Sequence, residues 1–138
     1  MGNPKRWQQR LEVLEQAFSR LREAVEQPTL SELERNGLVQ RFEFTLEVSW
    51  KVMRDLLLER GLVVKASPRE TFREALHAGY LSDIQALLDG IDIRNTLSHD
   101  YSGMKFAECE PILRHATYPA LIHLLEMFRI EARQENEQ

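Results

Sequence analysis

Apolar side chains recur every three or four residues along nearly the whole chain, a period that lines one face of an α-helix and cannot line one face of a strand. The first run carries Trp7, Leu11, Leu14, Phe18, Leu21 and Val25, with Gln8, Gln9, Glu12, Glu15, Arg22 and Glu23 between them, and should end near Pro28. From Leu30 to Glu59 a second run places Leu38, Phe42, Leu46, Trp50, Met53 and Leu57 on one stripe and Phe44, Val48 and Val52 on another. Two stripes require burial on two sides, as in a central bundle helix or one that faces both a core and a partner. Gly61 stands where a left-handed cap would close it.

The pair Val63-Val64 is too short to found a sheet. Ser67-Pro68-Arg69-Glu70 then supplies an N-cap serine, a proline at the first helical position and the glutamate of a capping box, opening a helix through His77 that Gly79 closes. Another helix from about Ser82 buries Ile84, Leu87, Leu88 and Ile91 and reaches Arg94 to Tyr101 before Ser102-Gly103 breaks it. The last pattern runs from about Lys105 to Arg133 through Ile112, Leu113, Ala116, Leu121, Leu124, Leu125 and Phe128. Pro111 and Pro119 are expected to bend it or displace its start, and the polar tail from Gln134 to Gln138 to fray. The 138 residues contain no repeat and no linker and suffice for one core, not two. The expected fold is all-α, a single-domain antiparallel up-and-down bundle of four long helices plus one short helix.

Charge and cysteine usage narrow the function. The 18 Lys and Arg against 22 Asp and Glu, with a net charge of -4 and a pI near 5.6, argue against a general nucleic-acid binder that depends on phosphate neutralisation and leave room only for a local basic cleft. The single Cys109 closes no internal disulfide and cannot complete a four-ligand zinc site with the histidines, which points to a reducing compartment. No apolar run approaches the roughly 18 residues that span a bilayer, and the N-terminus lacks a signal-peptide core, so a cytoplasmic soluble protein with no membrane association is expected. Asp83, Asp89 and Asp92 share no helix face, so no metal is expected, and the absence of a Gly-rich phosphate loop leaves no cofactor expected either.

What stands out is Arg94-x4-His99-x-Tyr101, where a fixed cation, a group titrating near neutrality and a phenol lie close together. At this composition chance supplies an Arg-x4-His pair about 0.4 times, but one followed by Tyr at the right place only about 0.01 times. Plain helix-end cations that favour the dipole are the alternative. Against that, Asn95, Thr96, Ser98 and Asp100 add hydrogen-bonding groups without lengthening the apolar stripe. On an uninterrupted helix Arg94 and His99 would lie about 140° apart, so convergence needs the helix to open near Leu97 or a second subunit to contribute. Elsewhere Glu43, Glu47, Lys51 and Asp55, four apart, should form a ladder of surface pairs, although Glu43 has access to a cleft. Arg69 and Arg73 share a face that suits solvent better than phosphates, and His77, His115 and His123 fit ordinary packing or surface roles.

The string Arg94-Asn95-x-x-Ser98-His99-x-Tyr101 resembles the active-site motif of the HEPN superfamily. Gln40-Arg41-Phe42-Glu43-Phe44, then Glu47 and Trp50-Lys51, Ser67-Pro68-Arg69-Glu70 and Tyr118-Pro119 are similar, in that order, to its subgroup of nucleotidyltransferase substrate-binding proteins, over roughly Trp7 to Ile130. The resemblance implies a helical homodimer encoded beside a minimal nucleotidyltransferase in a bacterial or archaeal toxin-antitoxin pair. One implied function is a metal-independent ribonuclease silenced when the nucleotidyltransferase adenylylates Tyr101. The other is a non-catalytic substrate-binding subunit of a nucleotidyltransferase complex.

The residue chemistry suits the first function. RNA carries its own 2′-hydroxyl nucleophile, so cleavage needs only proton transfer, here by His99, and stabilisation of phosphate charge, here by Arg94, with Asn95 and Ser98 positioning the strand. An AMP on Tyr101 would set an anion against the Arg94 guanidinium. The acidic pI favours the second function.

Overall fold

A computed structural model describes residues 5–100 and 103–138. Its helices are α1 (Arg6–Val25), α2 (Glu32–Glu59), α3 (Pro68–His77), α4 (Gln85–Ser98), α5 (Phe106–Ile112) and α6 (Tyr118–Asn136), and a π-helical turn over Leu113–Thr117 joins α5 to α6 without a break. Among the described residues there is no strand, so the all-α class is the one found. Taking α5, the π turn and α6 as one rod gives the four long helices and one short one expected. Pro111 and Pro119 flank the π turn. A proline cannot donate to the preceding turn, and widening the ladder between the two accommodates that loss.

Helix α2 is central because both of its apolar stripes are used: it packs against α1, α3, α4 and α6. Leu38, Phe42, Leu46, Met53, Leu56 and Leu57 are fully buried, together with Val52 from the second stripe. Phe44 is the exception, with 54% of its surface exposed. The α1–α2 pair is antiparallel, since partners on one helix rise in number as those on the other fall: Arg41 donates to the Arg20 carbonyl (2.9 Å), Thr45 Oγ1 to the Ala17 carbonyl (3.4 Å), and Arg10 pairs with Asp55 (2.8 Å). Helix α6 returns along α1 in the same sense, with Phe18 stacked on Tyr118 at 5.6 Å and Arg129 gripping Glu15 through two bonds of 2.8 and 2.6 Å. The buried hydroxyls of Thr45 and Ser49 each donate to the carbonyl four residues back, at 2.7 Å, and so enter the core at little cost.

The ends of the helices depart in part from the sequence expectation. The complete capping box belongs to α2, where Ser31 Oγ accepts from the Glu34 amide (3.2 Å) and Glu34 Oε1 accepts from the Ser31 amide (2.9 Å). At α3 only half of the expected box forms. Ser67 Oγ accepts from the Glu70 amide (3.3 Å), while Glu70 pairs instead with Arg73 (3.5 Å). Gly61 caps α2 at φ +84°, with the Leu62 amide reaching back to the Leu57 carbonyl (3.0 Å), as expected of a left-handed terminus.

The tail does not fray at Gln134. Helix α6 continues through Asn136 because Glu135 is the hub of a network that ties both chain ends to α2. Its carboxylate accepts from Arg60 (3.0 Å), Trp7 Nε1 (3.3 Å) and Gln8 (3.0 Å) and pairs with Lys5 (3.2 Å), while Arg60 also holds Glu131 and the Tyr80 hydroxyl, each at 3.1 Å. Burial pushes the Glu135 carboxyl up, but the bonds from Arg60, Lys5 and Trp7 outweigh it and hold it below the usual 4.5. A carboxyl lowered in the fold contributes stability above its ordinary value and loses it as the pH falls through the folded one. Glu135→Ala is therefore expected to cost about 1 kcal/mol at neutral pH, discounted for solvent at the cations. The deficit should shrink below pH 4.5, which thermal melts of both proteins from pH 7 to 3 would reveal. A deficit that did not change with pH would refute this account.

Candidate functional site

Helix α4 lies against α2, α3 and the π turn through Leu87, Ile91, Ile93 and Leu97, all buried. That placement points Arg94 at α2, where its Nη1 donates to Glu47 Oε2 at 2.8 Å and its Nη2 to Asn95 Oδ1 at 3.4 Å. Between the two helices opens a cleft of about 490 Å³ lined by Gln40, Glu43, Phe44, Glu47, Arg94, Asn95 and Ser98. Ser98 Oγ donates to the Asn95 carbonyl (3.2 Å), which fixes it at the cleft's edge.

Three of the residues expected to form the site therefore meet in one place. His99 does not join them. Helix α4 stays closed past Leu97 and ends after Ser98, leaving His99 exposed at the C-cap, its amide on the Thr96 carbonyl (3.3 Å), and outside the cleft lining. The opening near Leu97 that would have turned it toward Arg94 is absent, because Leu97 itself is anchored in the core. Past the cap, Asp100 accepts from the Lys105 amide (2.8 Å). Tyr101 lies outside the described residues.

Of the surface ladder expected from the spacing on α2, one rung forms, Glu47 with Lys51, and the rest departs from it. Asp55 is buried and pairs with Arg10 of α1, while Glu47 serves two helices at once: besides Arg94 it receives Trp50 Nε1 on Oε2 (3.0 Å) and Lys51 on Oε1 (3.2 Å). Burial raises the Glu47 carboxyl, yet the Trp50 and Lys51 bonds and the charges of Lys51 and Arg94 more than reverse it, so it stays ionised. Glu43 does face the cleft. There burial pushes it up, against the opposing charge of Arg94, so it holds a proton more readily than an open glutamate. Gln40, Phe44 and Glu47 are the lining residues that spacing alone missed, although all three fall within the block that carries the family resemblance.

Chemically the cleft offers one guanidinium, two amides, a hydroxyl, two carboxylates of unlike proton affinity and an exposed phenyl ring. Among the described residues no three His, Cys, Asp or Glu side chains are placed to hold a metal ion. The other cations and histidines that the sequence singled out lie away from the cleft: Arg69 pairs with Asp92 and Arg73 with Glu70, and His77, His115 and His123 are exposed. No described helix is long and apolar enough to cross a membrane.

Residues 9–128 match the family model described as nucleotidyltransferase substrate binding protein like. A crystal structure of a protein from Thermus thermophilus is similar to the chain, with a TM-score of 0.70 and 30% identity over 87% of this chain and 98% of that one. None of the curated proteins matches the chain.

Proposed function

Because the chain belongs to the nucleotidyltransferase substrate binding protein-like family, we propose that it is the substrate-binding partner of a nucleotidyltransferase and that the α2–α4 cleft is the surface it brings to that enzyme. The observation that carries this reading is the state of Arg94, which is paired with Glu47 at 2.8 Å in a cleft that His99 does not line. A catalyst for RNA cleavage needs its proton-transfer group and its phosphate-binding cation on one substrate, whereas a recognition surface needs only the cleft.

The second reading keeps the ribonuclease: Arg94 and His99 as the reacting pair, Asn95 and Ser98 positioning RNA, and adenylylation of Tyr101 by a nucleotidyltransferase encoded nearby as the silencing step. One observation favours it. Asn95, Ser98 and His99 are all exposed at one end of α4, with Arg94 partly so, and a two-fold axis passing beside that end would bring a second copy's histidine to the cleft.

One experiment separates the two. A nucleotidyltransferase from the same genome, sought first in the neighbouring reading frame, is titrated with wild-type protein and Arg94→Ala, and both, with His99→Ala, are incubated with total RNA in EDTA. We expect wild type to bind the enzyme, Arg94→Ala to bind about tenfold more weakly, which is one lost charge-assisted contact, and RNA to stay intact. RNA cleavage that disappears in His99→Ala would replace the first reading with the second.

A further inference from the structure

Three donors from two helices converge on a single carboxylate. Arg94 Nη1 and Trp50 Nε1 both donate to Glu47 Oε2, at 2.8 and 3.0 Å, and Lys51 Nζ pairs with Oε1 at 3.2 Å. Two of the donors carry full positive charge, so the cradle is built for an anion. Glu47 is an imperfect occupant. It has one negative charge for two cations, and two of the three donors share one of its oxygens.

A phosphoryl group has about twice the charge and three terminal oxygens, one for each donor. Glu47 is also free to leave. Its side chain is 37% exposed and on the ridge between the Arg94 cleft and a neighbouring groove of about 430 Å³ that Arg6, Arg10 and Lys51 help to line, so it has water on both sides to turn into. Trp50, by contrast, is only 8% exposed, and its indole N–H needs an acceptor in place whenever Glu47 withdraws.

We propose that Arg94, Lys51 and the Trp50 indole form a binding site for a phosphoryl anion, and that Glu47 is the internal counter-ion that occupies this site in the free protein. The proposal deepens the reading above, since it names a ligand chemistry for the edge of that cleft, where Glu47 stands between Arg94 on the cleft side and Lys51 in the neighbouring groove, and it rests on the cleft being a recognition surface. Binding is an exchange: the phosphoryl oxygens take the three donors and the Glu47 carboxylate goes to water. Affinity is set by how much better the donors hold phosphate than Glu47, which makes Glu47 a positioning residue that holds Arg94 and Lys51 apart at the spacing the ligand needs.

Calorimetric titration of the isolated full chain with inorganic pyrophosphate, and separately with ADP, tests this. Removing the competing carboxylate in Glu47→Gln should tighten pyrophosphate binding about tenfold, the worth of one charge-assisted bond, and Glu47→Ala should do the same if the glutamine still caps Arg94. Adding Arg94→Ala or Lys51→Ala to Glu47→Gln should abolish the gain. Glu43→Gln removes the same charge from the same cleft but releases no donor, and should gain only about threefold or less, the size of a screened field effect.

Tighter binding of ADP than of pyrophosphate would identify a nucleotide as the source of the phosphoryl group, and equal binding the phosphate alone. Equal gains in Glu47→Gln and Glu43→Gln, or a gain that survives loss of Arg94, would overturn the proposal. The titration contains no nucleotidyltransferase, so failure of the enzyme to bind the chain would sink the earlier reading and leave this result standing.

Discussion

Phe72→Ala is expected to cost about 3 to 5 kcal/mol, the range for deleting a fully buried aromatic ring and a large share of what a domain of this size holds in reserve. Helix α3 has ten residues, too short to persist alone in water, and docks through Thr71, Phe72 and Ala75. Phe72 is the only large side chain of the three and is completely buried. Thr71 adds area but no bond, since its buried hydroxyl has no hydrogen-bond partner among the described residues, so nothing replaces the ring once it is gone. The loss should be local before it is global. Native-state hydrogen exchange should show the amides of Glu70 to His77 losing protection while α1 and α2 keep theirs, with urea melts giving the total. Protection of α3 that falls only in step with α2, or a loss under about 1 kcal/mol, would mean that Ser67 capping and the Arg69–Asp92 pair hold the helix without its ring.

Helix content was legible because burial is decided by spacing. Trp7 through Leu21 and Leu38 through Leu57 show the period directly, and both stripes of α2 foretold a helix with neighbours on several sides. Helix ends were less legible, since a capping box needs two reciprocal bonds and the sequence shows only residue types. Ser67 and Glu70 have the right types, but Glu70 has a cation, Arg73, within reach; Ser31 and Glu34 have no such competitor and close the box. The tail was illegible for a related reason. Glu135 reads as a solvated residue in a polar run until Lys5, Trp7 and Arg60, from distant parts of the chain, are placed around it.

The site shows the same division. Arg94, Asn95 and Ser98 stand out by residue type and, at 100° per residue, fall within an arc of about 100°, so they share one side of the helix. His99 lies one step further round, and whether it joins them depends on where α4 ends. Leu97 settles that, because a buried leucine at the last turn keeps the helix closed through Ser98. Glu47 was invisible as a site residue for the opposite reason. Its spacing to Lys51 is satisfied by the ordinary i,i+4 pair that does form, and nothing in the local sequence says that Arg94, 47 residues on, shares the same carboxylate.

Gly90→Ala is expected to destabilise the protein by about 2 kcal/mol, against the sign of helix propensity, which alone would favour alanine inside a helix by about 1 kcal/mol. A Cβ at Gly90 would lie 2.6 Å from Thr117 Cγ2 and 3.4 Å from its Oγ1. Thr117 is completely buried, and its hydroxyl donates to the Ala86 carbonyl at 3.2 Å, so it cannot turn aside without leaving a polar atom unpaired. Overpacking a well-filled contact costs about 1 to 3 kcal/mol, and with the side chain pinned the upper end applies, leaving about 2 after the propensity gain. Thr117 closes the π turn, whose extra residue sets the angle at which it meets α4. The relief available is for α4 to move off, carrying Arg94, one turn beyond Gly90, away from its place over Glu47. Thr117→Ser removes the offending methyl and keeps the hydroxyl bond, so the double variant should recover at least about 1 kcal/mol relative to additivity in a thermal-melt cycle. An additive cycle, or a Gly90→Ala protein more stable than wild type, would mean that α4 and the π turn slide freely past each other. The geometry of Arg94 would then have to be set from the α2 side alone.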